Sequence, residues 1–369
     1  MSEQVRQDNF FIRAKESKVG RIVFAIVVAA VVFFVFRWAF LFMRDSNASK
    51  FVIAVIALAV GIGGVWALYA ALTNLVEVTP VRVRDKLRPW VFVIPGVLIL
   101  ITYIVFPAVR TIWLSFLNRT SDEFVGLRNY AFVFTDADML IILRNTLLWV
   151  VLVPAFAVSL GLIIAVMTDK LKPVWEKTIK SFIFLPMAIS FVGASVIWRF
   201  VYAYRPPGQA QIGLLNAVVT GLGGDPVAWI IQRPWNNAAL IFIMIWLQTG
   251  FAMVILSAAV KGVPKDLKDA ARIDGCNEIR VFFNVIIPYV KGTILTVTTT
   301  ILFLVLKIFD IVWVMTSGDF DTGIVASRMY EEAFVFRNFG RGSALAVFLF
   351  LVVMPVMIRN VRNMRELRR

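Results

Sequence analysis

The stretch that decides how this chain is read is Asp266–Pro288, DLKDAARIDGCNEIRVFFNVIIP. It is charged and interrupted by a glycine, yet long apolar runs stand on both sides of it. Its apolar residues fall on helical spacing twice, first at Leu267, Ala270 and Ala271, then at Ile279, Phe282, Phe283 and Ile286, since residues three and four apart share a helix face. Pro264 suits a helix start, Gly275 a left-handed helix end, and Asn277 the cap of a second helix. The spacing therefore predicts two short helices joined by a turn. Such a hairpin is compact and partly apolar, and its charge places it in water.

Working outward, 60% of the 369 residues are hydrophobic and 17% are charged, more apolar surface than a soluble domain of this length buries. The apolar residues gather in eight runs, at about 21–43, 51–76, 90–117, 145–168, 179–204, 238–260, 289–316 and 343–360. About 20 residues of α-helix cross the hydrocarbon of a bilayer, and a helix satisfies its own backbone groups there. The expected fold is an all-α membrane protein with eight transmembrane helices. The first run is longer than a signal-peptide core and is followed by no small-residue cleavage site, so it reads as a signal anchor.

Composition also excludes chemistry. Histidine is absent, which removes the usual proton shuttle and the commonest metal ligand, and the single Cys276 excludes an intrachain disulfide. The formal charge of +15 is spread between the apolar runs rather than gathered on one soluble face, so the bilayer is the implied partner and nucleic acid is not. Lys and Arg are rich in alternate connections, for example Arg82, Arg84, Lys86 and Arg88, then Lys170, Lys172, Lys177 and Lys180, then Lys261, Lys265, Lys268 and Arg272. Positive charge resists translocation. These connections, Asp266–Pro288 among them, and both termini are expected in the cytoplasm, and 118–144, 205–237 and 317–342 outside.

The segment DAARIDGCNEIRVFFNVIIP closely resembles the EAA loop of permease subunits in ATP-binding-cassette (ABC) importers, which runs Glu-Ala-Ala, three residues, Asp-Gly-Ala, then a Phe-containing stretch to Pro. The matching positions are Asp269, Ala270, Ala271, Asp274, Gly275, Phe283 and Pro288, with Asp269 in place of Glu and Cys276 in place of Ala. The likeness covers roughly residues 90–360. RNTLLWV (144–150), WRFVYAYRPPGQAQIGLLN (198–216), WLQTGFAMVILSAAVKGVP (246–264), FDIVWVMTSGDF (309–320) and FGRGSALAVFLF (339–350) look like segments of maltose-transporter-type carbohydrate permeases, most of all those for α-glucosides. The Gly-Gly-Pro usual after the seventh span is replaced by Gly318, Asp319 and Phe320.

The resemblance implies a type I ABC importer core of six helices at 90–360, with a coupling loop at 264–288. Ahead of it would stand a cytoplasmic leader (1–20), two accessory transmembrane helices (21–76) and a cytoplasmic linker (77–89), and behind it a basic tail (361–369). It implies that Asp269, Ala270, Ala271, Asp274, Gly275 and Phe283 meet an ATPase subunit. The implied assembly contains a second permease subunit, two ATPase subunits and an extracytoplasmic solute-binding protein in a bacterial cytoplasmic membrane. Uphill import needs energy, and this chain has no Gly-x-x-x-x-Gly-Lys-Ser/Thr loop. It carries no cofactor of its own, ATP and Mg belonging to the partner, and it is no enzyme. From the residues alone, an interfacial hairpin without a partner remains the alternative.

A sugar path combines amides or carboxylates with aromatic faces. The sixth run holds Trp246, Gln248 and Phe251, and the seventh holds Lys307, Asp310 and Trp313. The resemblance places Gln248 and Phe251 near a sugar site. The spacing of Lys307 and Asp310 predicts neighbours on one helix turn that neutralise one another, or a substrate-facing carboxylate. Trp246 and Trp313 are pathway candidates or packing residues. An ion-coupled secondary transporter or channel is the competing function, marked by broken helices and midplane carboxylates.

Overall fold

The computed structural model describes residues 18–46, 48–77 and 81–366. Most of the expected leader, the residues 78–80 of the linker and the last three of the basic tail lie outside the described residues. The chain divides into two compact units, the first ending at Ala108 and the second beginning at Val109.

In the first unit, α1 (Lys18–Asp45) and α2 (Lys50–Glu77) pack on one another, and α3 (Val81–Leu100) follows against α2. Phe33, Phe34, Trp38 and Trp66 are all exposed, which suits lipid and not water. A π-helical turn at Ile101–Val105 leads into α4 (Phe106–Leu114).

The second unit holds α5 (Arg128–Thr135), α6 (Ala137–Asp169), α7 (Pro173–Phe184), α8 (Phe191–Val201), α9 (Leu214–Gly221) and α10 (Trp235–Lys261). After these come α11 (Lys265–Ile273), α12 (Glu278–Val281), α13 (Ile287–Leu306), α14 (Asp310–Thr316), α15 (Val325–Tyr330) and α16 (Phe339–Glu366). Among the described residues seven helices are long and apolar enough to cross a membrane, and one bent pair makes an eighth.

Two expected spans are not continuous helices. The run at 179–204 turns through 102° between Pro173–Ala188 and Phe191–Val201. Pro186 has no N–H for the helical ladder, the chain tightens to a 3₁₀ turn at Leu185–Ala188, and Ser190 takes extended backbone and caps α8 by accepting from Gly193 N. The run at 289–316 breaks after Leu306, where Lys307 and Phe309 leave helical geometry and Asp310 opens α14. An ammonium is costly to bury in an apolar span, and the break leaves Lys307 exposed while Ile308 is buried. The reading of Lys307 and Asp310 as partners on one helix turn is therefore corrected: the turn does not exist, and no ion pair joins them.

The core forms where α10 lies along α6, with α13 closing one side. Trp149, Val153, Ala157 and Leu162 meet Leu240, Ile243, Met244 and Leu256, and Val297 and Ile301 complete the cluster. Gly250 permits the close approach of α7, because a Cβ there would stand 2.5 Å from the carbonyl oxygen of Ile183.

Buried amides fasten the connection after α14 to this core. Asn145 donates to the carbonyls of Asp321 (2.7 Å) and Gly323 (3.0 Å), and Asn236 to that of Phe320 (2.6 Å). Phe320 and Asp321 sit at φ +58° and +57°, a conformation that bulky residues hold only when their surroundings dictate it.

Candidate functional site

The first candidate site is the segment from Lys265 to Ile286. α11 begins after Pro264 and ends in a Schellman motif, in which Gly275 N donates to the carbonyl of Arg272 (3.0 Å) and Cys276 N to that of Ala271 (3.0 Å). Gly275 lies at φ +79°, which a residue with a Cβ adopts only at a cost. Asn277 then accepts from Arg280 N at 2.9 Å and starts the next helix.

The second arm differs from the separate short helix expected. It runs from Glu278 through a π-helical turn at Phe282–Ile286 into α13, as one span from Glu278 to Leu306. The π turn lies directly before Pro288, whose missing N–H interrupts the regular ladder. α11 is thus joined through the Gly275 turn to a span that ends four residues before Asp310.

Ion pairs hold the inner side of this segment. Lys268 faces Asp169 at 3.7 Å, Lys170 pairs with Glu278, and Arg272 bridges Glu278 (2.9 Å) and Asp269 (2.8 Å). The Glu278 carboxylate, and after it Asp269, holds the Arg272 guanidinium further toward its charged form than usual. Glu176 takes both Lys180 and Lys261, the latter at 2.6 Å. The outer side is apolar and uncovered: Leu267, Ala270 and Ile273 are exposed, Ile273 to 86%, and Phe283 to 59%. Asp274 and Gly275 are exposed as well, Asp269 is exposed at the edge where Arg272 holds it, and Ala271 turns inward onto the core.

The second candidate site is a cavity of about 430 Å³ framed by both helix breaks. Ser190 and Phe191 come from the bend before α8, Thr300 and Leu304 from the end of α13, and Asp310 from the start of α14. Unbroken α10 contributes Gln248 and Phe251. The Gln248 side-chain oxygen is buried without a hydrogen-bond partner, a state that costs about 1–3 kcal/mol unless a ligand or water answers it. Asp310 is half-buried and has no ion pair.

Of the five pathway candidates, the structure brings together Gln248, Phe251 and Asp310. Trp246 points to another face of α10, against Trp198 at 5.5 Å. Trp313 stacks on Phe309 (5.3 Å) and meets Tyr330 (4.8 Å), beside a different cavity lined by Asp319, Arg328 and Glu331. There Glu332, 2% exposed, pairs with Arg328 at 3.0 Å, and burial pushes the Glu331 carboxyl above its ordinary range. Sequence reasoning missed Ser190 and Thr300. The capping pattern of Ser190 before Phe191 carried a signal, but it lay inside a run read as one span.

The chain belongs to the family described as binding-protein-dependent transport system inner membrane component, whose model matches residues 157–364. It is 58% identical to the osmoprotective compounds uptake permease protein GgtC of Synechocystis sp., over 74% of this chain and 98% of that protein. It is 48% identical to the alpha-glucoside transport system permease protein AglF of Rhizobium meliloti, over 76% of this chain and 84% of that one. In fold it is similar to a chain of a bacterial ABC transporter involved in the import of the acidic polysaccharide alginate, with a TM-score of 0.66, 17% identity, and coverage of 77% of this chain and 99% of that one.

Proposed function

We propose that this permease subunit moves a sugar or small oligosaccharide, of the α-glucoside class, into the cytoplasm by ATP-driven alternating access. The observation that carries the proposal is the uncovered apolar stripe of α11, standing on an ion-paired base and joined through the Gly275 turn to the span that includes α13. Exposed apolar surface of this kind marks a protein contact, and an ATPase subunit that binds ATP and Mg is the partner assigned to it. The complete assembly adds a second permease, a second ATPase subunit and an extracytoplasmic solute-binding protein. Both termini and α11 face the cytoplasm, in keeping with the Lys and Arg distribution. The two leading helices are accessory to a core that carries transport.

In this reading the 430 Å³ cavity is the solute station. Phe251 offers an apolar face to a sugar ring, and the unanswered Gln248 oxygen and the Asp310 carboxylate accept its hydroxyl protons. Closure of the ATPase pair pushes α11, and α13 carries that displacement to the break at Lys307, where the wall of the cavity changes.

The test is ATP hydrolysis by the assembled complex in proteoliposomes with its solute-binding protein, screened against α-glucosides and other sugars. Stimulation by an α-glucoside is expected, and Gln248→Ala is expected to weaken apparent sugar affinity about five- to tenfold, the loss of one hydrogen bond. Replacing Asp269 and Gly275 is expected to remove stimulation. Uptake that survives both loop substitutions contradicts the coupling role; unchanged affinity in Gln248→Ala removes that residue from the site.

A further inference from the structure

α10 presents a second cavity, which the solute reading leaves unused. It holds about 580 Å³ and is walled by Trp198, Tyr202, Trp229, Trp235, Phe242 and Trp246. It lies along the half of α10 away from Lys261 and α11.

The lining selects its occupant. The Tyr202 hydroxyl already donates to the Ala239 carbonyl at 3.0 Å, and the Trp229 indole N–H to Asn216 Oδ1 at 3.1 Å. What remains is donors alone: the buried indole N–H of Trp198, which has no partner, and the indole N–H groups of Trp235 and Trp246. A sugar carries about one hydroxyl per ring carbon, and each left unpaired here would cost free energy. An ester-bearing hydrocarbon chain, which brings acceptors and no donors, asks for what the groove offers.

Depth and surroundings point the same way. From Trp235 to Trp246 the groove follows α10 for about 16 Å at 1.5 Å per residue, which is the depth of one leaflet of a hydrocarbon layer about 30 Å thick. At its Trp229 and Trp235 end, α9 exposes Leu214 and Val218, four residues apart on one face, and its C-cap Leu222 is exposed beside them. An apolar stripe on a short helix beside Trp229 and Trp235 is what the membrane interface accommodates.

We propose that this groove holds one acyl chain of a membrane phospholipid, with the Trp235 N–H at the mouth donating to its ester carbonyl and the chain running inward past Trp198 to Trp246. The lipid fills the space beside α8, on the face of α10 that does not carry Gln248. It thereby supports the α8 wall of the solute cavity from behind.

The experiment is native mass spectrometry of the assembled transporter released from phosphatidylethanolamine and phosphatidylglycerol vesicles through graded detergent washing. Wild type is expected to keep one phospholipid per copy of this chain. Ala238→Phe, which fills the groove from an exposed position, is expected to lose it. Trp235→Phe keeps an aromatic ring but drops the donor, and is expected to lower occupancy about fivefold, one net hydrogen bond. Wild type retaining no lipid, or Ala238→Phe retaining as much, overturns the proposal.

Two further readouts cover a filled variant that fails to assemble. Lipids brominated on their chains are expected to quench wild-type indole emission more than that of Trp198→Phe; equal quenching overturns the assignment. Ala238→Cys, in a chain with Cys276→Ser, is expected to remain uncrosslinked in the membrane. A crosslink to another subunit would show a protein surface there instead.

Discussion

α10 and α11 are separated only by Gly262, Val263 and Pro264, yet they are built on opposite principles. Two-thirds of the apolar window of α10 is buried and its side chains interlock with those of α6, whereas α11 has no buried residue at all. One helix is held by packing and keeps its place; the other is held by ion pairs along one side and offers its apolar side outward. Surface ion pairs contribute little stability each, so α11 is a part whose substitution shows in coupling and not in folding.

The sharpest contrast comes from buried charge. Glu332→Ala leaves the Arg328 guanidinium in a poorly solvated place without its main partner, and is expected to lower unfolding free energy by about 3–5 kcal/mol, measured by denaturant titration in detergent. Within α10, Leu240→Ala removes a fully buried side chain and is expected to cost about 2–5 kcal/mol in the same assay, sugar affinity being unaffected in the fraction that folds. In the turn after α11, Gly275→Val forces a β-branched residue into φ +79°, at a local cost of about 1–3 kcal/mol that reorients the arm and lowers stimulated ATP hydrolysis. The smallest stability change belongs to Ile273→Ser, within about 0.5 kcal/mol because the side chain is already exposed; here stimulated hydrolysis is expected to fall while the unfolding curve stays in place. If Ile273→Ser destabilised the chain as much as Leu240→Ala, the contrast between the two helices would collapse.

Much of this was legible in the sequence. The apolar runs gave the membrane spans because length and hydropathy alone decide whether a helix can cross. Pro264, Gly275 and Asn277 announced the ends of the hairpin, since each residue type has a steric or hydrogen-bonding reason to stand there. The two broken spans were not legible. Hydropathy averages over a window, so a tight turn at Leu185–Ser190 or a kink at Lys307 leaves the mean almost unchanged. Trp246 and Gln248 lie two residues apart in sequence, yet that spacing is about 200° on a helix, and they face different cavities. The orphaned Gln248 oxygen and the clustering of Ser190 with Asp310 depend on packing between distant segments, which one sequence does not display.

The most direct measurement places a single cysteine at Ala270 or Ile273, with Cys276 replaced by Ser, and follows crosslinking to the ATPase subunit through a hydrolysis cycle in proteoliposomes that import sugar. A crosslink from both positions that arrests uptake, with none from a control cysteine at the exposed Leu148, is the expected result. Continued uptake by a chain with no ATPase subunit at α11 would contradict the account.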